Sequence, residues 1–436
     1  MRNLCLAVLL MTVAGVAGQE KEEQEQQLTA DMQLMSRGEV RYGGMPAASD
    51  ESTGDRSNFV LGRARLIIDY KRPELETKMN VQHLGVWGQT GKGAFNVFEA
   101  WARLNAKNGL FLQAGRQALA YDDERIIGPN DWSVAGQSHD ALKLGYEGRR
   151  YKAHVILAFN QNAENMNSGN DYYVGGAQTY KAMQMGWYHY GFGSIPLGVS
   201  LLVMNIGMQA GTLGNDEHTE WQQIVGAYAK YKADSWSLEG SYYNQGGKNE
   251  EGAKLKAWMA SVKATWAATK SYGFEGGFDF LSGDKLFAVP PKGGIGLVRH
   301  DVIRGFNPMY GSHHQFYGAM DFFYVSTYVN GFTPGLQNAF IGGYYKPVPR
   351  MKIGVDYHYL ATATDLIDMK KTLGHEIELR ASYQMMKDAS IALGYSYMAG
   401  TETMERLKRA SSEGSLQWAW LSLNVSPRIF SLKWRN

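Results

Sequence analysis

The chain has 436 residues and a formal net charge of +2, with 20% of residues charged. That near-neutral balance, with no long Lys/Arg stripe, argues against a nucleic-acid partner. Glycine (51) and tyrosine (26) are abundant while proline (11) and cysteine (1) are scarce, a texture that suits many half-exposed strands better than one packed interior.

The first element is a leader. Arg2 precedes an apolar run from Leu4 to Val16, followed by Ala17 and Gly18 and then Gln19-Glu20. This is the charged, apolar and small-residue order of a signal peptide over 1–18, cleaved after Gly18. The run is too short to anchor the chain across a bilayer. Cys5 would leave with it, so the mature chain has neither a disulfide framework nor a thiolate metal site. No later stretch approaches 18 consecutive apolar residues. For an exported chain that spans a membrane, a closed β-barrel is the remaining architecture.

Residues 19–31 open acidic and polar (QEKEEQEQQ) and are expected to form a short periplasmic lead, with the barrel occupying 32–436. Segments of period-two alternation then follow one another. Eighteen strands are expected, at 32–42, 58–71, 76–89, 95–106, 110–118, 138–147, 150–160, 179–190, 196–206, 219–232, 235–245, 254–268, 271–283, 335–345, 350–360, 373–386, 389–400 and 414–425. One of the clearest alternates Glu376, Glu378, Arg380, Ser382 and Gln384 with Ile377, Leu379, Ala381 and Tyr383. Strand lengths match the roughly 9–11 residues that a tilted strand needs to cross a bilayer. Aromatics such as Trp87, Trp101, Trp266, Tyr345 and Tyr397 gather at strand ends, where interfacial girdles belong.

The connections alternate between tight and long. Tight ones fall at 72–75, 107–109, 148–149, 191–195, 233–234, 269–270, 346–349 and 387–388. Long ones fall at 43–57, 119–137, 161–178, 207–218, 284–334, 361–372 and 401–413, and two more on that side, 90–94 and 246–253, are only modestly longer than the tight ones. This predicts an all-β transmembrane antiparallel barrel with short periplasmic turns and long extracellular loops, the largest being 119–137 and 284–334. The segment 314–329 is strand-like, but counting it would put the termini on opposite rims, so it belongs in the large loop. Eighteen strands leave room for an aqueous channel.

The stretch 115–146 (GRQALAYDDERIIGPNDWSVAGQSHDALKLGY) resembles the signature of the alginate-export family of outer-membrane porins. A second block agrees in order: GFDFLSGD at 277–284, FNP at 306–308, FYGAMDFF at 316–323 and PGLQ at 334–337, with QWAWLSLNVSP closing at 417–427. The resemblance implies a monomeric barrel in a Gram-negative outer membrane. It also implies passage of an anionic polyuronate through a pore narrowed by basic residues. Fold alone does not fix cargo.

The polar member of each alternation should face the lumen. That places Arg63, Arg65, Arg103, Lys143, Lys152, Lys352 and Arg380 in the pore, with Lys78, Lys230 and Lys263. The anions Glu99, Glu147, Glu239, Glu275, Asp279, Asp356, Glu376 and Glu378 face the same space. Two readings stay open. The walls tie themselves together with ion pairs, or Arg63, Arg65, Arg103 and Arg380 stay unpaired and form an anion-selective constriction. Arg116 and Arg125 are expected at the outer mouth. In the 119–137 loop, Asp122, Asp123, Glu124, Arg125, Asp131 and Trp132 either make a solvated tip or fold inward, and the apolar Ile126, Ile127 and Trp132 favour folding inward. Three adjacent carboxylates could hold calcium, but their spacing matches no recognised loop, and no metal or other cofactor is expected.

Enzyme motifs are absent: there is no G-x-S-x-G, no P-loop and no H-E-x-x-H. Glu376 and Glu378 could imitate a glycosidase pair, yet Arg380 follows on the same face. The expected function is passive, selective passage of anionic saccharides or related small anions, with outer-membrane lipids as surroundings. The alternative is a general or structural barrel whose outer loops bind a partner.

Overall fold

The computed structural model describes residues 25–42, 56–89, 93–162, 172–173, 175, 178–284, 302–325, 333–408 and 415–435. The expected leader 1–18 and residues 19–24 lie outside the described residues, as do 43–55 and parts of the loops expected at 161–178, 284–334 and 401–413.

Alternation becomes a ladder. The strands are β1 (Glu25–Tyr42), β2 (Arg56–Arg72), β3 (Leu75–Val86), β4 (Ala94–Asn105), β5 (Leu110–Gln117) and β6 (His139–Glu147). They continue with β7 (Tyr151–Phe159), β8 (Ala182–Gly191), β9 (Leu197–Thr212), β10 (Asn215–Lys232), β11 (Trp236–Gly247) and β12 (Ala257–Trp266). The last six are β13 (Tyr272–Leu281), β14 (Leu336–Tyr345), β15 (Met351–Ala361), β16 (Thr372–Met386), β17 (Ala389–Gly400) and β18, which runs as Ser415–Val425 and, past Pro427, as Arg428–Arg435. Each pairs antiparallel with the next, and β1 pairs with both β2 and β18, which closes the barrel. Closure leaves no unpaired edge, the condition for strands in a bilayer.

The two faces of each strand invert the pattern of a soluble protein. Leu157, Val355 and Leu379 are 45%, 47% and 50% exposed, whereas Asp279, Glu376 and Asp356 are 1%, 1% and 7% exposed. Apolar side chains meet lipid, and charged ones pair with each other between neighbouring strands along the lumen wall. No helix among the described residues is long and apolar enough to cross a membrane, and the strands do the spanning.

Three boundaries differ from the sequence expectation. Residues 25–31 are not a lead but the first half of β1, paired with Gln27↔Lys71 through Asp31↔Ile67 on one side and Glu25↔Arg435 on the other. Leu28, Ala30 and Met32 continue the outward alternation there, opposite Phe430 and Leu432 of the chain end. The final strand passes Pro427 because the register shifts between Ala30 and Asp31, and the Met32 amide donates to the Pro427 carbonyl at 3.0 Å. A proline at such an irregularity forfeits no ladder bond. Finally, the expected long loop 207–218 is a hairpin: β9 and β10 run on to a turn at Leu213-Gly214, where Gly214 takes φ 77°. Polar residues above the membrane read as loop, yet ladder bonds form in water as well as in lipid. Within 314–329, the described residues form a short 3-10 turn (His313–Gln315) and a helical turn (Phe322–Val325), as expected of a loop segment.

Candidate functional site

The site is built from loop 119–137, which leaves the long-loop end of β5 and turns into the barrel. Leu119, Ile126 and Ile127 are buried to 1%, 2% and 0% exposure, and burying each contributes roughly 1.5–3 kcal/mol against leaving it in water. The backbone at Asp122 and Glu124 is left-handed (φ 56° and 63°), a conformation tolerated only where surroundings over-determine it.

Those surroundings are ties to much of the barrel circumference. The Tyr121 hydroxyl meets His154 Nδ1 on β7 at 2.9 Å, and Trp187 Nε1 on β8 donates to Asp122 Oδ1 at 3.1 Å. Arg125 reaches Asp279 on β13 at 2.9 Å while also holding Asp123 at 3.1 Å. β13 is eight strands from β5 in an eighteen-strand ring, so the loop crosses to nearly the opposite wall. On β2, Asp131 accepts from Arg63 at 3.0 Å and from Arg65 at 2.7 Å. The Ala135 carbonyl accepts from Gln82 on β3 at 2.8 Å. Trp132 stacks on His314 with centroids 3.9 Å apart, meets Trp420 of β18 edge-on at 5.1 Å, and lies under the Arg37 guanidinium at 4.0 Å.

A second segment, 302–325, packs onto the first. The Gly128 amide donates to the Tyr310 carbonyl at 2.8 Å, and Ser312 Oγ donates to Glu124 Oε2 at 2.8 Å. The Met320 amide in turn donates to Glu376 Oε1 on β16 at 2.9 Å. The two loops form one body across the lumen. Burial pushes the Asp122 and Asp123 carboxyls above the usual carboxylate range. Burial alone would weaken the hold of Arg125 on its proton, but Asp279, Tyr317 and Asp123 hold it above the usual arginine value.

This arrangement sorts the candidate residues. Arg63 and Arg65 are braces that grip Asp131. Arg380 pairs with both Asp356 and Glu378, and Lys152 pairs with Glu147 at 2.9 Å. Lys78, Lys230 and Lys263 pair with Glu99, Glu239 and Glu275 at 3.3, 2.8 and 2.8 Å. Of the four arginines considered for an unpaired constriction, only Arg103 has no carboxylate partner among the described residues: it donates to Asn105 at 2.7 Å and lies over Phe111 at 3.6 Å. Lys143 lies 5.8 Å from the Phe111 and Tyr121 rings, and Lys352 lies 4.8 Å over Tyr344. Neither makes an ion pair among the described residues.

Two expectations are corrected. Arg116 does not face the pore: it shares the outward face with Asp140, which it holds bidentately at 2.9 and 2.7 Å, while Gln113, Gln117 and His139 turn inward. Alternation from Arg116 to Gln117 decides this. Arg125 is not at an exposed mouth but 4% exposed beneath the loops. Asp122, Asp123 and Glu124 address three different partners and do not converge, so the arrangement offers no calcium cage.

Among the described residues, the cavities beside the loop body lie off-centre. A cavity of about 660 Å³ runs between the loops and the β10–β18 wall. Its lining carries eight carboxylates (Asp122, Asp123, Glu124, Glu239, Glu275, Asp279, Asp356 and Glu378) against four cations (Arg125, Lys230, Lys263 and Arg380). A second cavity of about 350 Å³ continues toward the short turns, sharing Glu275, Asp356, Arg380 and Trp420 and adding Lys352. Sequence reasoning missed this wall's glycine floor. At lumen positions, Gly354 and Gly394 flank Arg380 on β15 and β17, and the Trp420 indole lies where a Cβ on Gly394 would stand. The run of glycines in β13–β17 was the available signal.

A closed eighteen-strand barrel with a lipid-facing apolar band and inward-folded loops defines an outer-membrane porin-type channel. The alginate-export family profile matches residues 88–415, and the chain belongs to that family. Among solved structures, it is similar to a BenF-like porin from Pseudomonas fluorescens Pf-5 (10% identity, TM-score 0.62, 92% of this chain and 99% of that one). It is also similar to OccK9 (OpdG) of Pseudomonas aeruginosa (12% identity, TM-score 0.61, 92% and 98%) and to OprD of Pseudomonas aeruginosa (12% identity, TM-score 0.56, 92% and 96%). These likenesses show a shared fold, and with the family they place the chain in the outer membrane of a Gram-negative cell. No curated protein matches the sequence.

Proposed function

We propose that the barrel is a passive, size-limited channel for anionic saccharides of the uronate kind or related small carboxylates. The observation that carries this reading is the off-centre space left by the loop body, in whose lining Lys352, at the short-turn end, is the lysine or arginine with no ion-pair partner among the described residues. Arg103 and Lys143 add further cations without an ion pair there, on the far wall of the same end. A pore must attract its solute enough to admit it and weakly enough to release it, and a few unpaired cations among many braced ones meet both needs. The family membership supports the same class of cargo. Transport in this reading follows the solute gradient.

A second reading is favoured by the eight carboxylates against four cations in the outer cavity, which would draw cationic or neutral solutes instead. Liposome swelling with glucuronate, glucose and glucosamine, together with reversal potential in a KCl gradient, separates the two. Faster entry of glucuronate than of glucosamine supports the uronate channel. The opposite order, with cation preference, overturns it.

A further inference from the structure

The lipid-facing surface of β8–β10 is broken by three carboxamides in a row. Gln184 on β8 stands directly across from Asn205 on β9, and Asn205 stands directly across from Gln223 on β10. The residues that alternate with them, among them Met183, Met204, Ile206 and Ile224, are buried toward the lumen, while Leu201, Val203 and Val225 are exposed on the carboxamides' own face. The row therefore points at the bilayer. Asn205 Nδ2 donates to Gln184 Oε1 at 2.7 Å, and Gln223 Nε2 donates to Asn205 Oδ1 at 2.8 Å. Trp221 is the next outward residue on β10 toward the long-loop rim, and a Cβ on Gly207 would lie 3.0 Å from its indole. Tryptophan marks the membrane interface, so Gln223 lies just inside the apolar band, roughly 7 Å along the strand from that boundary.

Polar groups at that depth are costly unless hydrogen-bonded. A carboxamide offers two N–H donors and an oxygen with two acceptor positions. The two bonds within the row use about a third of this capacity, so donors and acceptors both stay open on the lipid side. We propose that the row is a docking point for the hydroxyacyl-amide linkage of an outer-leaflet glycolipid of the lipid A type.

The chemistry selects this occupant. Phospholipid ester linkages present acceptors only, which would serve the free N–H groups and leave the carboxamide oxygens unpaired. A hydroxyacyl amide presents N–H, O–H and C=O together and matches both. Since the row is uncharged, a phosphate gains nothing from it. Below Gln184, the next outward residue is Gly186, between Val155 on β7 and Val203 on β9. A Cβ there would meet nothing within 4 Å, so a notch is open where an acyl chain would leave the linkage. A second barrel is a poorer match, because Leu201, Val203, Trp221 and Val225 project around the row and would meet it first.

The test is native mass spectrometry of the purified full-length barrel in detergent micelles. It is titrated with lipid A, with O-deacylated lipid A (which keeps only the amide-linked chains) and with phosphatidylethanolamine. Both forms of lipid A should bind one per barrel at concentrations about tenfold below phosphatidylethanolamine, the worth of one or two hydrogen bonds. Asn205→Leu breaks both bonds of the row with a side chain suited to lipid, and it should erase that advantage. Heat-modifiable gel migration verifies folding, and Gln184→Leu and Gln223→Leu carry the test if Asn205→Leu does not fold. An advantage that survives in the folded variants would mean that the glycolipid is held elsewhere, and the proposal falls. It also falls if phosphatidylethanolamine binds equally well, or if O-deacylation abolishes binding. Dimers that vanish with Asn205→Leu while lipid A shows no advantage would assign the row to a contact between copies and overturn it as well.

Discussion

The two sides of the lumen are built from the same alternating strands yet do opposite things. On the β1–β8 side, lumen positions carry large polar side chains that reach inward and grip the loop: Arg37, Arg63, Arg65, Gln82, His154 and Trp187 all bond or stack with residues 121–135. On the β12–β17 side, glycines occupy key lumen positions, and the long side chains between them pair along the wall. One side is filled by its own loop, and the other lines the two cavities. The position of the pore follows from side-chain size and pairing, since the backbone ring is nearly uniform.

The strongest way to break that contrast is to remove the filler. Replacing residues 121–135 with a short Gly/Ser linker should leave the barrel folded, because every strand-to-strand ladder is retained, and should raise single-channel conductance several-fold. An unchanged conductance would mean that the loop does not narrow the route. A smaller effect is expected from Asp131→Ala, which frees Arg63 and Arg65. The lost tie lies between the about 1 kcal/mol of an exposed pair and the about 3–5 kcal/mol of a buried one, since Asp131 is half exposed while both arginines are buried. Open-channel noise should increase and reversal potential should move toward anions, as two cations lose their counter-charge. A quiet channel with native selectivity would show that other ties suffice.

On the cavity-lining side, Gly354→Leu is informative because a Cβ there meets nothing closer than 3.6 Å. The barrel should assemble normally while conductance drops by roughly half. No drop would place the route elsewhere. The smallest effect concerns pH. Asp122 and Asp123 have carboxyls raised by burial, so on acidification they take up protons before an exposed aspartate of pKa about 3.9 does. The outer cavity's acid excess should shrink, and selectivity should drift toward anions at a pH above that value. The drift should be absent in an Asp122→Asn, Asp123→Asn double variant, and its persistence there would assign it to the wall carboxylates.

Period-two alternation was enough to read the spanning strands and the lipid-facing side of each, as Leu157, Val355 and Leu379 illustrate. It failed at the margins, in 25–31, in 207–218 and beyond Pro427, where polar or proline-containing strands extend past the apolar band and lose the contrast that marks them. The inward fold of 119–137 was legible in Ile126, Ile127 and Trp132, because three apolar residues in a charged loop require a surface to cover them. The partners were not. Asp131 lies 68 and 66 residues from Arg63 and Arg65, and Arg125 is farther still along the chain from Asp279, so no local pattern links them.

By itself, the sequence determined the barrel, its strand count and which residues face water in the lumen, because alternation and turn length are local properties of the chain. Only the tertiary structure decided which cations are spent and which are free. Arg63, Arg65 and Arg380 look equivalent to Arg103 and Lys352 along the strand, but pairing depends on what lies within a few ångströms across the ring or beneath a folded loop. Charge in a pore is a sum over neighbours brought together by closure, and that sum is made in three dimensions.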